Sequence, residues 1–292
     1  MSKLKRVLPV AILASLVASI VGCGSTGLTA HLPADQEQLP KIMTKGGQEF
    51  VLGFSDTRYQ QVANKFKVTK LPRQALLPVK MDNREFCSPV ANQGKLGSCT
   101  AFAMGKGFRE FMQHKLGERQ VPLSPLFLYY ESRWDKSRDS GSTNTDNVET
   151  MSTKGIATEE SWPYDITKFA QVPPAAAYDS AKEFKYDNFI HISGLEDAKV
   201  ALSKGVPVLF AFDVMESFRS IGKDGMMPVP KPGEKRLGGH AVLAVGYDSQ
   251  KQVVTVRNSW GDTWADGGYF YMPYEVFEKT ARDMWTADTT KQ

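Results

Sequence analysis

The hydrophobic pattern of this chain changes near residue 184, and that change limits the folds that the sequence can adopt. Before it, apolar residues recur at the spacing of a helix face, for example Phe102, Phe108 and Phe111. After it, short apolar runs between turn residues predict strands at 189–192, 206–212, 240–247, 253–257 and 268–272. A chain of 292 residues that separates helices from strands, without an internal repeat, is predicted to adopt an α+β fold of two packed halves.

Between residues 99 and 203, helices are predicted at four places. The longest covers 99–116, and its two interior glycines lower helix propensity, so another part of the chain must pack closely against it. A second begins at Ser124-Pro125, because serine caps helices and proline suits the first helical position. A polar loop is predicted over 135–147 before a short helix over 148–154, and residues 195–203 form a helix between two strands.

The first 22 residues have the composition of an export signal. Three basic residues precede an apolar run over 8–21, which is too short for a stable membrane span. The run ends in Ile20-Val21-Gly22-Cys23, which resembles the lipobox of bacterial lipoproteins. The resemblance implies that Cys23 is lipidated and anchors the mature chain to a membrane. The alternative is an ordinary signal peptide in which Cys23 is incidental.

The residue after Cys23 is Gly24, and by the same resemblance a residue other than Asp implies the outer membrane. We therefore expect a bacterial cell-envelope protein that is lipid-anchored at the outer membrane or periplasmic, with secretion as the remaining alternative. Residues 23–45 are predicted to form a flexible tether, and residues 76–292 the main domain.

Between the tether and the main domain, residues 46–75 predict a short strand followed by a short amphipathic helix. Ser55-Asp56 is a candidate helix cap, and apolar residues from Tyr59 to Phe66 follow helical spacing. Two interpretations remain open for this segment. It is either an inhibitory pro-segment that lies over the active site or an extension that packs on the core, and we favour the first.

The composition excludes several classes of function. The formal net charge of +4 is spread along the chain without a long basic run, which argues against nucleic-acid binding. Cysteine and histidine do not cluster at metal-ligand spacing, so no metal or other cofactor is expected. Cys87 and Cys99, the two cysteines other than Cys23, could form a disulfide with each other. A buried, inert Cys87 and a free Cys99 are favoured instead. We expect a monomer that acts on a peptide or protein substrate.

Cys99 is a candidate nucleophile. A polar loop flanked by glycines, residues 93–98, leads directly into the apolar run 101–104, so Cys99 is predicted to lie in the first turn of a helix. Unpaired backbone N–H groups and the positive end of the helix dipole favour the thiolate there, and the thiolate is the reactive form. The alternative is a buried cysteine that acts only as a small apolar residue.

His240 and Asn258 could complete such a site. His240 follows two glycines and begins an apolar strand, a position suited to a general base, although a lone histidine at a strand edge is as often structural. Asn258 ends a predicted strand before Trp260, and its carboxamide could accept the imidazole N–H and fix the tautomer, or it could be a plain turn residue. His191 alternates with two isoleucines and is expected to face outward.

The order and separation of Cys99, His240 and Asn258 resemble those of the papain-like cysteine peptidases. The similarity covers residues 76–277 and rests on independent motifs in the same order. They are Gln-Gly-x-x-Gly-Ser-Cys-x-Ala-Phe at 93–102, Gly-His-Ala-Val at 239–242, Asn-Ser-Trp-Gly at 258–261, and Trp-Pro-Tyr at 162–164.

The resemblance implies a two-subdomain fold, with the cysteine on a helical subdomain and the histidine on a β-barrel-like one. Cys99 would be the nucleophile and His240 the base, while Asn258 would orient His240. The Gln93 side chain and the Cys99 backbone N–H would form the oxyanion hole. Gly141, Gly239 and Trp260 are expected to line the substrate cleft, with Trp260 also covering Asn258.

Three departures from the family pattern concern the cleft rather than the catalytic set. Leu96 replaces the usual second cysteine, so the disulfide between this loop and the loop after the second helix is absent. Thr100 replaces the usual Trp, and residues 139–144 replace a Gly-Gly stretch. The leading hypothesis is hydrolysis of peptide bonds. The alternatives are another acyl transferase or amidase using the same site, and a lipid-anchored binding protein with an inactive peptidase fold.

Overall fold

The fold is that of a computed structural model, which describes residues 38–73 and 76–288. Within these residues, a helical part precedes an antiparallel sheet of seven strands, and an N-terminal segment lies ahead of both. The α+β class predicted from the change in hydrophobic pattern is confirmed.

The helical part is built around one continuous helical stretch. It consists of α2 (Cys99–Phe102), a π-helical section (Ala103–Arg109) and α3 (Glu110–Lys115). Close packing at its glycines is confirmed, because a Cβ on Gly105 would fall 2.7 Å from Ile156 Cδ1 and one on Gly107 would fall 3.2 Å from Leu243. These glycines therefore let a loop and a sheet strand approach the helix backbone.

Three further helices complete this part: α4 (Pro125–Ser132), α5 (Asn144–Thr153) and α6 (Ala175–Glu183). The predicted start of α4 is confirmed, since the Ser124 side chain accepts a hydrogen bond from the Phe127 N–H. The predicted loop over 135–147 is too long, because α5 begins at Asn144. Thr143 caps it by accepting from the Asp146 N–H at 3.0 Å.

The strands of the sheet are β3 (Lys80–Asp82), β4 (Phe189–Ile192), β5 (Val208–Met215), β6 (Arg236–Asp248), β7 (Val253–Arg257), β8 (Tyr269–Pro273) and β9 (Arg282–Ala287). The sheet is entirely antiparallel, and its strands pair in the order β4-β9-β5-β6-β7-β8, while β3 pairs with β6. Two helices flank them, α7 (Gly194–Ser203) and α8 (Tyr274–Thr280). The five predicted strands are present, whereas β3, β9 and α8 were not predicted.

The central strand β6 separates two apolar cores. Val242 and Ala244 point into the core that α7 and α8 cover, while Leu243 and Val245 point into the core against the helical part. Because successive side chains of a strand point to opposite faces, an unbroken apolar run is what a sheet buried on both faces requires. The structure thus has two packed halves, as predicted.

The N-terminal segment contains β1 (Lys41–Met43), β2 (Glu49–Val51) and α1 (Asp56–Val62). Ser55 caps α1 as predicted, but the helix ends at Val62 rather than near Phe66. The predicted tether is also too long at its C-terminal end, since β1 pairs with β2 in an antiparallel hairpin. The export signal, Cys23 and the tether up to residue 37 lie outside the described residues.

Two further predictions concern single side chains, those of His191 and Cys87. His191 does not face outward, because it is 8% exposed and stacks on Trp285 at 4.7 Å. Cys87 and Cys99 are both free thiols, and burial raises the pKa of Cys87, in keeping with an inert role. In the part of the chain described, no helix is long and apolar enough to cross a membrane.

Candidate active site

Cys99 and His240 meet where the helical part packs on the sheet. Cys99 is the first residue of α2, and its sulfur accepts a hydrogen bond from the backbone N–H of Ala241, the residue directly after His240. His240 lies within β6, and Asn258 follows the last residue of the neighbouring strand β7. Residues far apart in the sequence are therefore placed together by sheet register.

The hydrogen bonds of His240 define which nitrogen can act as the base. His240 Nε2 lies 2.8 Å from Asn258 Oδ1, which also accepts from the backbone N–H of Ser259 at 2.9 Å. Because a backbone N–H can only donate, that Asn258 atom is the oxygen, so Nε2 carries the imidazole proton. Among the described residues Nδ1 has no hydrogen-bond partner, and it is left as the basic nitrogen.

Gln93 is held in one orientation beside this pair. Its Oε1 accepts from the Ser259 hydroxyl at 2.6 Å, which fixes the side-chain amide and turns Nε2 away from Ser259. Nε2 donates to the Leu96 carbonyl at 3.0 Å and, at the same distance, to the carbonyl of Val51 in the N-terminal segment. Ser259 was not predicted as a site residue, although it lies inside the Asn-Ser-Trp-Gly motif.

The sequence and the fold of this chain are similar to those of known proteins. The family profile described as papain family cysteine protease matches residues 77–284, which is more than half of the chain. The chain belongs to the papain family of cysteine proteases.

Its similarity to individual papain-family proteins extends over most of the peptidase domain. An uncharacterized peptidase C1-like protein of Acanthamoeba polyphaga mimivirus is 37% identical over 212 residues, which cover 66% of this chain and 68% of that protein. The thiol protease aleurain of Arabidopsis thaliana is 31% identical over 206 residues, covering 68% of this chain and 56% of aleurain. The chain thus spans little more than half of some curated relatives.

Among solved structures, xylellain, a cysteine protease from Xylella fastidiosa, superposes with a TM-score of 0.69 at 28% identity. The match covers 86% of this chain and 99% of xylellain. A procathepsin B from Trypanosoma congolense gives a TM-score of 0.59 at 18% identity, which is a likeness of fold alone. The two-subdomain papain-like fold is confirmed by these matches.

The N-terminal segment runs through the cleft of this papain-family domain. The Phe54 N–H donates to the Gly239 carbonyl at 3.2 Å, and Ser142 donates its N–H to the Gly53 carbonyl at 3.1 Å. The Ser55 N–H in turn donates to the Ser142 carbonyl at 3.1 Å. Gly239 therefore hydrogen-bonds to the segment, and the other backbone hydrogen bonds to the segment come from Ser142 rather than from Gly141.

Gly141 lies against the segment through its Cα rather than through a backbone hydrogen bond. Its N–H donates to the Tyr129 hydroxyl at 3.0 Å, and its Cα lies so close to the Gly53 carbonyl that a Cβ would overlap that group. With φ of +67°, it also adopts a backbone conformation that favours glycine. Gly141 thus shapes the wall of the cleft without donating its own N–H to the segment.

Apolar side chains of the segment fill the cleft on both sides of the catalytic pair. Phe50 stacks on Trp260 with ring centroids 4.6 Å apart and the rings nearly parallel. Phe54 packs in a cluster with Cys99, Ala211 and Ala241. Trp260 also lies 5.1 Å from the His240 ring, so it lines the cleft as predicted.

Cys99 and His240 are both fully buried. Burial raises the pKa of Cys99 to about 11 despite hydrogen bonds from the backbone, and burial lowers the pKa of His240 to about 4 despite its bond to Asn258. In this form, burial therefore opposes the predicted thiolate at Cys99, because excluding water disfavours each charged state.

Ion pairs fasten the segment beyond the cleft. Arg58 pairs with Asp146 at 2.8 Å through a fork of hydrogen bonds, and Lys65 pairs with Glu149 at 2.5 Å. Lys70 reaches the largely buried Asp197 at 3.3 Å. Attachment thus depends on apolar contacts in the cleft and on charge pairs along α5 and α7.

Asp139 links the loop that carries Cys99 to the wall of the cleft. Its carboxylate accepts from the Gly97 N–H at 3.0 Å and from the Tyr129 hydroxyl, the same hydroxyl that accepts from Gly141. These bonds join the two stretches that the family disulfide would join, which is absent here because Leu96 replaces a cysteine. Neither Asp139 nor Tyr129 was predicted, since no local motif marks such a long-range contact.

Replacing Asp139 with alanine should destabilise the fold and loosen this loop. It leaves a buried N–H and a buried hydroxyl without acceptors, at a cost of about 2–3 kcal/mol, or about 5–10 °C in Tm for a domain of this size. Thermal unfolding monitored by circular dichroism measures the change. Asp179→Ala removes an exposed carboxylate on α6 and should leave Tm within about 1 °C, whereas equal Tm values for both variants would contradict the linking role.

Metal ligands are not gathered anywhere in the described chain. No three His, Cys, Asp or Glu side chains of residues 38–73 and 76–288 lie close enough together to hold a metal ion.

Proposed function

We propose that this papain-family protein hydrolyses peptide bonds in protein substrates through a thioester on Cys99. The observation that carries the proposal is that Cys99 lies against Ala241, directly after His240, whose Nδ1 has no hydrogen-bond partner among the described residues. A backbone carbonyl, that of Val51, already occupies the Gln93 donor. An extended chain in this cleft therefore presents a carbonyl to the group that would stabilise an oxyanion.

The reaction that these groups support has two halves. In the first, Cys99 gives its proton to His240 Nδ1 and the sulfur attacks the carbonyl carbon, with the developing oxyanion bound by Gln93. The peptide nitrogen then leaves with the proton from His240, and the acyl group remains on the sulfur. In the second half, a water gives a proton to His240 and its oxygen displaces the thiolate, which releases the acid. Asn258 holds the imidazole in the required tautomer throughout.

The N-terminal segment is proposed to keep the enzyme inactive until it leaves the cleft. It removes water from Cys99 and His240, occupies the Gln93 donor and fills the positions on both sides of them. The inhibitory segment runs from residue 38 to the ion-paired Lys70, so it begins before the predicted range 46–75 and includes β1. A substrate can reach the cysteine only after strand and helix have moved or have been removed.

The cell location is proposed from the N-terminal sequence alone. The lipobox-like residues 20–23 support export and lipid attachment at Cys23, which would hold a monomeric peptidase at a bacterial membrane surface. The residues concerned lie outside those described. A comparison of radiolabelled fatty-acid incorporation into the natural chain and a Cys23→Ala variant would test this attachment.

Covalent labelling tests the catalytic proposal directly. An epoxide probe for cysteine peptidases should label the full chain after removal or release of the segment, and the labelled residue should be Cys99 by mass spectrometry. Cys99→Ala should abolish both labelling and peptide cleavage, whereas Cys87→Ala should preserve both. A folded, released protein that neither reacts with the probe nor cleaves peptides would favour the inactive binding protein over the enzyme.

A further inference from the structure

Two arginines beside the cleft share an acidic partner that belongs to the N-terminal segment. Asp56, the first residue of α1, contacts Arg236 at 2.5 Å and Arg282 at 2.8 Å. Both arginines also contact Asp213, at 2.7 Å and 2.9 Å. The four side chains thus form one closed network of two cations and two anions.

The network becomes unbalanced when the segment leaves. Asp213, Arg236 and Arg282 belong to the peptidase domain, on β5, β6 and β9, so Asp56 is the member that departs. Two guanidinium groups then share one carboxylate. The surface that Asp56 leaves therefore has a positive charge, and it lines an open pocket with a volume of about 530 Å³. Lys279 also lines this pocket but is paired with Glu275 at 3.4 Å.

This cationic surface adjoins the catalytic residues. In the pairing of β5 with β6, Asp213 lies opposite Gly239 and the neighbouring position pairs with His240. The Arg282 guanidinium also lies over the ring of Phe54, 5.0 Å from its centroid, while the same ring contacts Gly239. One arginine therefore borders both the apolar pocket that Phe54 fills and the site that Asp56 occupies.

We propose that Arg236 and Arg282 form a subsite for an acidic side chain of the substrate. The enzyme then favours sequences in which Asp or Glu lies close to an aromatic residue, with the aromatic ring in the Phe54 pocket and the carboxylate between the two guanidinium groups. The proposal rests on the proposed peptidase function. When the segment leaves, the cleft loses the Asp56 carboxylate, which both arginines bind at once. An acidic side chain of the substrate can take its place.

The expected preference is moderate because the site is partly open to water. The side chains of Arg236 and Arg282 are 41% and 19% exposed, so solvent and salt screen their attraction for a carboxylate. Asp in the favoured position should therefore raise kcat/KM by about fivefold to tenfold over the neutral isostere Asn. The advantage should shrink at high ionic strength.

Matched peptide substrates test the subsite in the full chain. The Gly53→Ala variant, in which the segment cannot seat fully, is assayed with quenched fluorescent peptides that contain one Phe and, at each neighbouring position in turn, Asp, Asn or Lys. We expect one position at which Asp exceeds Asn and Lys is the poorest. Adding Arg236→Gln and Arg282→Gln should abolish the ratio of Asp to Asn cleavage. Both peptides contain the same Phe, so this ratio does not depend on any general loss of rate caused by removing the Arg282 contact with the aromatic pocket.

Arg84→Gln is the matched control, because Arg84 is a similarly exposed arginine that pairs with Asp82 and Asp266 away from the cleft. It should retain the preference for Asp. Equal cleavage of Asp and Asn peptides at every position would overturn the subsite, as would a preference that survives loss of both arginines. Arg236→Gln alone, at the more exposed site, gives the same test if the double variant does not fold.

A binding assay separates failure of the subsite from failure of the proposed function. A fluorescent peptide with the sequence of residues 50–62 is titrated into the Gly53→Ala chain that also carries Cys99→Ala. We expect the Asp56→Asn peptide to bind about fivefold to tenfold more weakly. Cleavage is measured separately, in the Gly53→Ala chain that keeps Cys99. A binding difference without cleavage there would overturn the peptidase function and support the subsite, whereas cleavage without any binding difference would do the reverse.

Discussion

Replacing Gly53 with alanine in the full chain is expected to increase peptidase activity by roughly 30- to 150-fold. A Cβ on Gly53 would overlap the backbone of Gly97, in the loop that leads to Cys99. A backbone group cannot turn aside as a side chain can, so the segment must lift out of the cleft. Overpacking of this kind costs about 2–3 kcal/mol, and the population of the open form rises by the corresponding factor.

The measurement is the initial rate of cleavage of a neutral fluorogenic peptide, with labelling of Cys99 by an epoxide probe as a second readout. Gly46→Ala is a suitable control because it lies in the same segment, where a new Cβ meets only Thr44 Oγ1 at 3.9 Å. It should leave activity unchanged. If Gly53→Ala and Gly46→Ala are equally active, the segment does not limit access to the cleft.

Replacing His240 with alanine in the Gly53→Ala chain is expected to lower kcat by about 10⁴-fold or more. Among the described residues, His240 Nδ1 is the basic nitrogen identified at the site, and both halves of the reaction pass a proton through it. The binding of substrate depends on other groups, so KM should change little. His114→Ala, which removes a histidine from α3 on the helical part, is the control and should retain full activity.

The pH dependence of alkylation by iodoacetamide measures the interaction between Cys99 and His240 without a substrate. With the segment in place, the Cys99 pKa of about 11 keeps the thiol protonated at pH 7, so alkylation should accelerate only as the pH rises toward 11. Once the segment leaves, water returns and the thiolate can pair with protonated His240, so the Cys99 pKa should fall below neutral. In His240→Ala that fall should disappear. A released protein that reacts like a free cysteine would contradict the pairing.

The catalytic residues could be predicted because each sits in a short local motif. Cys99 follows a glycine-rich loop at a helix start, and His240 follows two glycines at the beginning of an apolar run. The identity of the neighbours within a few residues is enough to recognise such positions. Whether these residues lie close together depends on the register of β6 with β7 and on the packing of the helical part against the sheet. The order of the motifs indicated this only through the resemblance to the papain-like peptidases.

Other features could be predicted in part, for reasons that differ from one to the next. The start of α5 was missed although Thr143 and Asp146 form a cap, because the surrounding run is polar and indicates a loop. In the fold, the backbone N–H of Asn144 donates to Asp283 at 2.7 Å, a partner 139 residues away. The short strand predicted in the N-terminal segment is present as β2, but its partner β1 was missed, because a strand of three residues leaves almost no periodic signal.

The sequence by itself determined the α+β class and indicated the candidate catalytic residues and the candidate inhibitory segment. These depend on local patterns and on the chemistry of single side chains. Only the tertiary structure decided that Val51, Gly53 and Phe54 lie in the cleft, that Ser142 rather than Gly141 hydrogen-bonds to the chain there, and that Asp56 joins two arginines. Burial raises the pKa of the Cys99 thiol for the same reason. Whether a charged group keeps its water depends on what packs against it, and here the packing partner comes from a segment more than forty residues away in the sequence.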